Sequence, residues 1–186
     1  MTQSPTPPLH RSISVSWAPE AAFNRFTRDF GKWWPHRTHS IGEKLIKRVV
    51  FEPRVGGRIF EELVDGRRFL WGTVVAWEPP RGVRFTWHPA QEAKAGQDVE
   101  LRFTPEGSGT RLELISTGWE RLGEKARGAR RGYDVGWGYV LNVWAGRRTA
   151  GMLAMDGVVL VLRLVQFLKG GLHKAIANAP GAMPAD

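Results

Sequence analysis

Two histidines three residues apart, His36 and His39, follow a tryptophan pair in "KWWPHRTHSIG". Imidazoles in that position could move protons near neutral pH or ligate a metal ion. The metal reading is set aside, because no carboxylate stands near them on a defined element. Two readings remain: a pocket rim bearing a histidine, or a surface loop anchored by Trp33 or Trp34. Carboxylates that could act as acid or base are Glu61, Glu62, Asp65 and Asp134. Glu61 and Glu62 are neighbours on a strand-like segment and point to opposite faces, so they cannot both enter one site. The chain has no Cys, which removes thiol nucleophiles, thiolate ligands and disulfides. No Ser-His-Asp arrangement, phosphate-binding loop or dinucleotide fingerprint is present, and "RVGGR" and "EGSGT" are turn chemistry. The sequence therefore assigns no catalytic residue, no metal ligand and no cofactor.

The denser signal is aromatic, with nine Trp in 186 residues. In "WEPPRGVRFTWHP", Val83, Phe85 and Trp87 alternate with Arg84, Thr86 and His88, giving one apolar and one wet face. Trp71, Thr73, Val75 and Trp77 read as a second such row; Val99, Leu101 and Phe103 with Leu112 and Leu114 add two more. Facing them would be Tyr133, Trp137, Leu141 and Trp144. These rows are either ordinary core or the wall of a pocket whose wide rings receive an apolar ligand. On the second reading the candidate ligand-binding residues are Trp33, Trp34, His39, Trp71, Thr73, Phe85, Trp87, Tyr133, Trp137 and Leu141.

The elements that must position them follow from periodicity. Residues 1–10, rich in Pro, Ser and Thr, read as a loose tail without the apolar run of a signal peptide. "RSISVSW" alternates as a half-buried strand. "APEAAFNRFTRDF" places Ala22, Phe23 and Phe26 on one helical face with Pro19 in the first turn, and Pro35 ends helical geometry at Trp34. From Lys47 to Thr117, strand-like segments are separated by short turns, among them the "DG" of Asp65 and Gly66, which predicts an antiparallel meander. Tyr133, Trp137, Val140, Leu141 and Trp144 then recur at helical spacing. Interior glycines weaken that helix by up to about 1 kcal/mol each, so tertiary packing must hold it.

Residues 149–186 form an apolar extension. In "GMLAMDGVVLVLRLVQFLKGGLHK" the polar positions Asp156, Arg163, Gln166, Gly170 and Lys174 fall on one narrow helical side. A bilayer span needs ~20 apolar residues, and Arg163 near its centre would cost about 2.5–3.5 kcal/mol, so docking on the domain or on a homodimer partner is expected in place of a membrane span. "ANAPGAMPAD" reads as a frayed end. The net charge of +9 is spread along the chain without a nucleic-acid-binding motif and reads as a solvated basic face, so no nucleic acid is expected as partner. A cysteine-free chain without a secretion signal fits a cytoplasmic location.

"PEAAFNRFTRDFGKWWP", "FEPRVGGRIFEE", "DGRRFLWGTVVAWEPP", "VRFTWHP", "GTRLEL" and "GWERLGEKARGARRGYDVGWGYVLNVW", taken in order, resemble the bacterial SRPBCC proteins of the AHSA1-like family in the START/Bet v 1 superfamily. The resemblance covers residues 11–148. It implies an α+β helix-grip fold, a curved antiparallel sheet wrapped around a long C-terminal helix with an apolar cavity between them. It also implies a small-molecule binding function toward a hydrophobic or amphipathic ligand. Two other activities come with the resemblance: Hsp90 ATPase activation, a stress-response role, and cyclase or hydrolase chemistry in the same cavity. The last requires an ionisable side chain inside the pocket, for which Tyr133, Thr73, His39 or Glu61 are the available groups.

Overall fold

A computed structural model describes residues 6–42, 45–89, 93–154, 156–157 and 182–183. Strand β1 (Leu9–Val15) leads into three short helices, α1 (Pro19–Thr27), α2 (Phe30–Trp33) and α3 (His36–His39). Six strands follow: β2 (Ile46–Phe51), β3 (Arg58–Leu63), β4 (Arg68–Glu78), β5 (Gly82–Trp87), β6 (Gln97–Glu106) and β7 (Gly109–Thr117). The long helix α4 (Ala126–Trp144) closes the domain. The strands form one antiparallel sheet in the order β1-β7-β6-β5-β4-β3-β2, so the meander from β2 to β7 is completed by β1 against its far edge.

Local chemistry explains the elements. Pro19 occupies the first turn of α1, where a missing N–H costs nothing. Trp34, ahead of Pro35, leaves the helical region at ψ 132°, and α2 ends there. Gly66 in the Asp65-Gly66 turn has φ 87°, a conformation L side chains resist. Along β5, Val83, Phe85 and Trp87 are buried and Arg84 is exposed, as the alternation predicts. On α4, Trp137, Val140, Leu141 and Trp144 point inward, where α1 supplies Phe23 and Phe26 between the helix and the sheet.

Four details differ from the sequence reading. First, β1 starts at Leu9, inside the expected tail, because Leu9 is fully buried and pairs with Ser116. Second, the row Trp71-Thr73-Val75-Trp77 is not a single face. Register shifts in β4, against β3 and again between Val74 and Ala76 against β5, turn Val74 inward. Val75 is thereby left exposed, and Thr73 stands outside the buried cluster. Third, His88 lies beyond the end of β5 and is buried, with its backbone N–H on Trp71 O, so it does not belong to the wet face. Fourth, Ala182–Met183, within the expected frayed end, forms a short strand, β8, against Arg68 and Phe69. That stretch of β4 lies beyond the residues β5 pairs with, and its unpaired backbone groups accept an added strand.

The chain ends of the domain are clasped together. Arg11 Nε donates to Asp134 of α4 at 2.7 Å, Arg130 donates to the carbonyls of Pro7 and Pro8 at 2.9 Å each, and Arg147 donates to Ser14 O. Of the extension, Met152 is buried and Asp156 accepts a hydrogen bond from Tyr139 of α4 at 2.5 Å, so its first turns dock on the domain. Arg163, Gln166, Gly170 and Lys174 lie outside the described residues. Among the described residues no helix is long and apolar enough to cross a membrane.

Gly72 marks the tightest contact in the sheet: a Cβ there would meet Thr86 O at 1.8 Å. Gly72→Ala is expected to lower the unfolding free energy by about 1–3 kcal/mol, and with it the chemical-denaturation midpoint, since the obstacle is backbone of β5 and has no side-chain freedom to yield. An unchanged midpoint would mean that β4 and β5 separate at no cost.

Candidate functional site

The interior between sheet and closing helix, where the resemblance implies a cavity, is filled by indoles from four elements. Trp34, at the end of α2, lies 5.2 Å from Trp71 and 5.7 Å from Trp87, centroid to centroid. Trp71 and Trp87 are 5.6 Å apart, and Trp137 of α4 sits 5.3 Å from Trp87. Trp87 is therefore the hub, and Phe85 joins it at 5.9 Å. Each of these rings is at least nine-tenths buried. Rings at such spacings are in van der Waals contact, so a ligand enters only by moving one of them.

Polar groups gather around the same hub. Gln97 lies directly opposite Trp87 in the β5–β6 register, and Ser116 is one diagonal step further on β7. Both are buried on the inner face, at 0% and 1% exposure. Gln97 Nε2 donates to Ala95 O, which leaves Gln97 Oε1 without a donor. Ser116 Oγ and the indole N–H groups of Trp71 and Trp137 likewise have no hydrogen-bond partner among the described residues. Two donors, one acceptor and one hydroxyl thus lie buried on side chains around or near Trp87, where each unmade hydrogen bond costs about 1–3 kcal/mol. Sequence reasoning passed over Gln97 and Ser116. The signal was their parity: Gln97 continues the row Val99, Leu101, Phe103, and Ser116 the row Leu112, Leu114.

The other candidate residues lie around this centre. Trp33 Nε1 donates to Arg25 O at 2.8 Å and its ring meets Phe26 and Phe30, so it anchors α2 to α1. Tyr133 packs against Trp119, and Leu141 is buried in the core. His39 stacks on Tyr139 at 4.7 Å, with its Nδ1 at 2.8 Å from Thr38 Oγ1. Burial and the Asp156 carboxylate push the Tyr139 phenol up.

Glu61 holds the segment between α3 and β2. Its Oε1 accepts from Gly42 N at 2.7 Å and its Oε2 from Ile41 N at 3.1 Å, with Ser40 adding a side-chain hydrogen bond. Ser40 Oγ and His39 O in turn accept from Trp34 Nε1, each at 3.2 Å. The carboxylate is fully buried, and desolvation raises its pKa to about 7 against the opposing pull of those donors. Its neighbour Glu62, on the opposite face, is surrounded by Lys47, Arg48 and Arg68, whose hydrogen bonds, led by that of Arg48, lower its pKa to about 2.

Two concavities lie outside this interior. One of about 370 Å³ is bordered by Trp17, Glu106 and Arg147; the other, of about 540 Å³, runs over the outer face of β4–β6 beside Arg81, Arg84 and Arg102. Among the described residues no three metal-binding side chains come together.

A bent antiparallel sheet closed by one long amphipathic helix, with aromatic walls between them, defines the α+β helix-grip class. The family described as Activator of Hsp90 ATPase homolog 1-like protein matches residues 17–143, and the chain belongs to it. Solved structures share the fold. Protein MLL2253 from Mesorhizobium loti is 23% identical with a TM-score of 0.54, over 75% of this chain and 95% of that one. Protein NE0264 from Nitrosomonas europaea is 15% identical with a TM-score of 0.55, over 77% and 96%. The Aha1 dimer of Colwellia psychrerythraea is 16% identical with a TM-score of 0.51, over 73% and 91%. No curated protein matches the chain.

Proposed function

We propose that this protein binds a small hydrophobic or amphipathic molecule between the sheet and the closing helix. One observation carries the reading: the buried side chains of Trp71, Trp137 and Gln97, neighbours of Trp87, and of Ser116, one diagonal step from Gln97, each hold a polar atom without a hydrogen-bond partner among the described residues. Aromatic walls supply affinity by apolar burial at roughly 25 cal/mol per Å², and the few polar atoms supply orientation. Trp34 is the ring best suited to admit the molecule. It belongs to a short helical segment held by Glu61 through Ser40, Ile41 and Gly42, whereas Trp71 and Trp87 are fixed in the sheet.

Titration with Nile red, a neutral apolar dye, should quench the tryptophan fluorescence saturably, and Trp137→Ala should weaken that binding about tenfold or more, since it removes both a wall and a donor. Saturation in the wild type that survives unchanged in Trp137→Ala would move the site away from the grip. No saturable binding, to this dye or to a lipid and aromatic library, would remove the reading.

A further inference from the structure

We propose a second binding site, on the surface and independent of the interior. The concavity where β1, the β6–β7 turn and the end of α4 meet takes a free amino acid with an apolar side chain, its carboxylate on Arg147 and its ammonium on Glu106.

Three parts of the chain border the place: residues 14–17 at the end of β1, residues 106–109 between β6 and β7, and residues 145–147 after α4. At about 370 Å³ the concavity stands at the small end of small-molecule sites, roughly 300–1,000 Å³, and suits a molecule of amino-acid size. Thr110 Oγ1 donates to Trp17 O at 2.6 Å, which keeps the half-buried indole beside the turn as an apolar wall.

One residue sets the charges. Ser14 Oγ donates to Glu106 Oε2, and Ser14 O accepts from Arg147 Nη2, so a carboxylate and a guanidinium are both held at Ser14. Among the described residues they nevertheless do not pair with each other, and Arg147 has no carboxylate partner at all. Its contact to Ser14 takes one of the five N–H groups of a guanidinium, which leaves donors for a two-point contact with a carboxylate. Glu106 Oε1 receives Arg111 Nη1 at 3.3 Å; a carboxylate accepts about four hydrogen bonds, so an ammonium can join.

An anion alone would meet the Glu106 carboxylate in the same concavity, and a cation alone would meet Arg147. An α-amino acid carries both charges on one carbon and gives each group its opposite, while Trp17 receives the side chain. A peptide does not, since its ammonium and carboxylate stand at opposite ends of the chain.

A proton NMR titration of the full chain at low ionic strength tests this with four compounds. They are phenylalanine; phenylpropionate, which lacks the ammonium; phenethylamine, which lacks the carboxylate; and glycine, which lacks the side chain. Phenylalanine should bind about threefold or more tighter than each of the others, and added salt should erase its advantage over phenylpropionate and phenethylamine. Arg147→Gln should bring phenylalanine down to the level of phenethylamine and leave phenethylamine as it was. Glu106→Gln should do the same with respect to phenylpropionate, and those retained affinities show that both variants are folded. Equal affinities across the series, phenylalanine binding unchanged in either variant, or no binding of phenylalanine at millimolar concentration would each overturn the proposal, and none of these outcomes bears on Nile red in the interior.

Discussion

Trp144→Ala should cost about 3–5 kcal/mol of folding stability, roughly a fifth or more of what a domain commonly has. Trp144 is fully buried at the end of α4 and touches Trp17, Phe26 and Phe103, which come from the segment after β1, from α1 and from β6. One side chain therefore holds the closing helix to three other parts of the chain. Its backbone carbonyl also accepts from Arg25 Nε at 3.3 Å, a bond the substitution leaves in place, so the loss is that of the ring alone. Denaturant unfolding of wild type and variant measures it directly. A loss below 1 kcal/mol would show that the helix is held elsewhere, for instance by the Arg11–Asp134 clasp.

The second large effect is a dependence of stability on pH with an unusual sign. Burial raises the folded pKa of Glu61 to about 7 from the 4.5 of an ordinary glutamate. The folded state thus binds its proton more tightly than the unfolded chain, and stability must fall as pH rises from 4.5 to 7, by roughly 3 kcal/mol for a shift of that size. Below 4.5 both states are protonated and the slope vanishes; above 7 both are ionised and it vanishes again. Glu62 acts in the opposite sense. Its pKa is lowered to about 2, so its contribution is present above 4.5 and is lost as pH falls toward 2. The combined contribution of the two neighbours is greatest near pH 4.5. Glu61→Gln removes the titrating group and should flatten the limb between 4.5 and 7 while leaving the acid limb. Denaturant midpoints measured across that range decide the matter, and a limb that persists in Glu61→Gln would assign the dependence to another group.

Much of the fold was legible because its signals are local. The alternation of Val83, Phe85 and Trp87, the glycine at Gly66 and the helical stripe of Trp137, Val140, Leu141 and Trp144 each depend on residues a few positions apart. The register shifts in β4 were not legible. They arise from how β4 meets β3 and β5, and they are the reason Thr73 leaves the inner row. The candidate site was legible in its apolar part: Trp34, Trp71, Phe85, Trp87 and Trp137 are brought together. Its polar part was hidden, since a glutamine that begins a strand and a serine that nearly ends one look like solvent-facing positions until the inner row is counted through them. Glu61 posed a related problem: nothing local announces that two backbone N–H groups twenty residues upstream are waiting for its carboxylate.

The clasp between the first strand and the closing helix has a consequence for synthesis. β1 finds its partner only when β7 has been made, and Pro7, Pro8 and Arg11 meet α4 later still. A nascent chain leaving the ribosome therefore carries β1 and the aromatic residues of α1 unshielded until nearly the whole domain has emerged. Termination before Trp144 would leave Trp17, Phe26 and Phe103 without the ring that packs against all three.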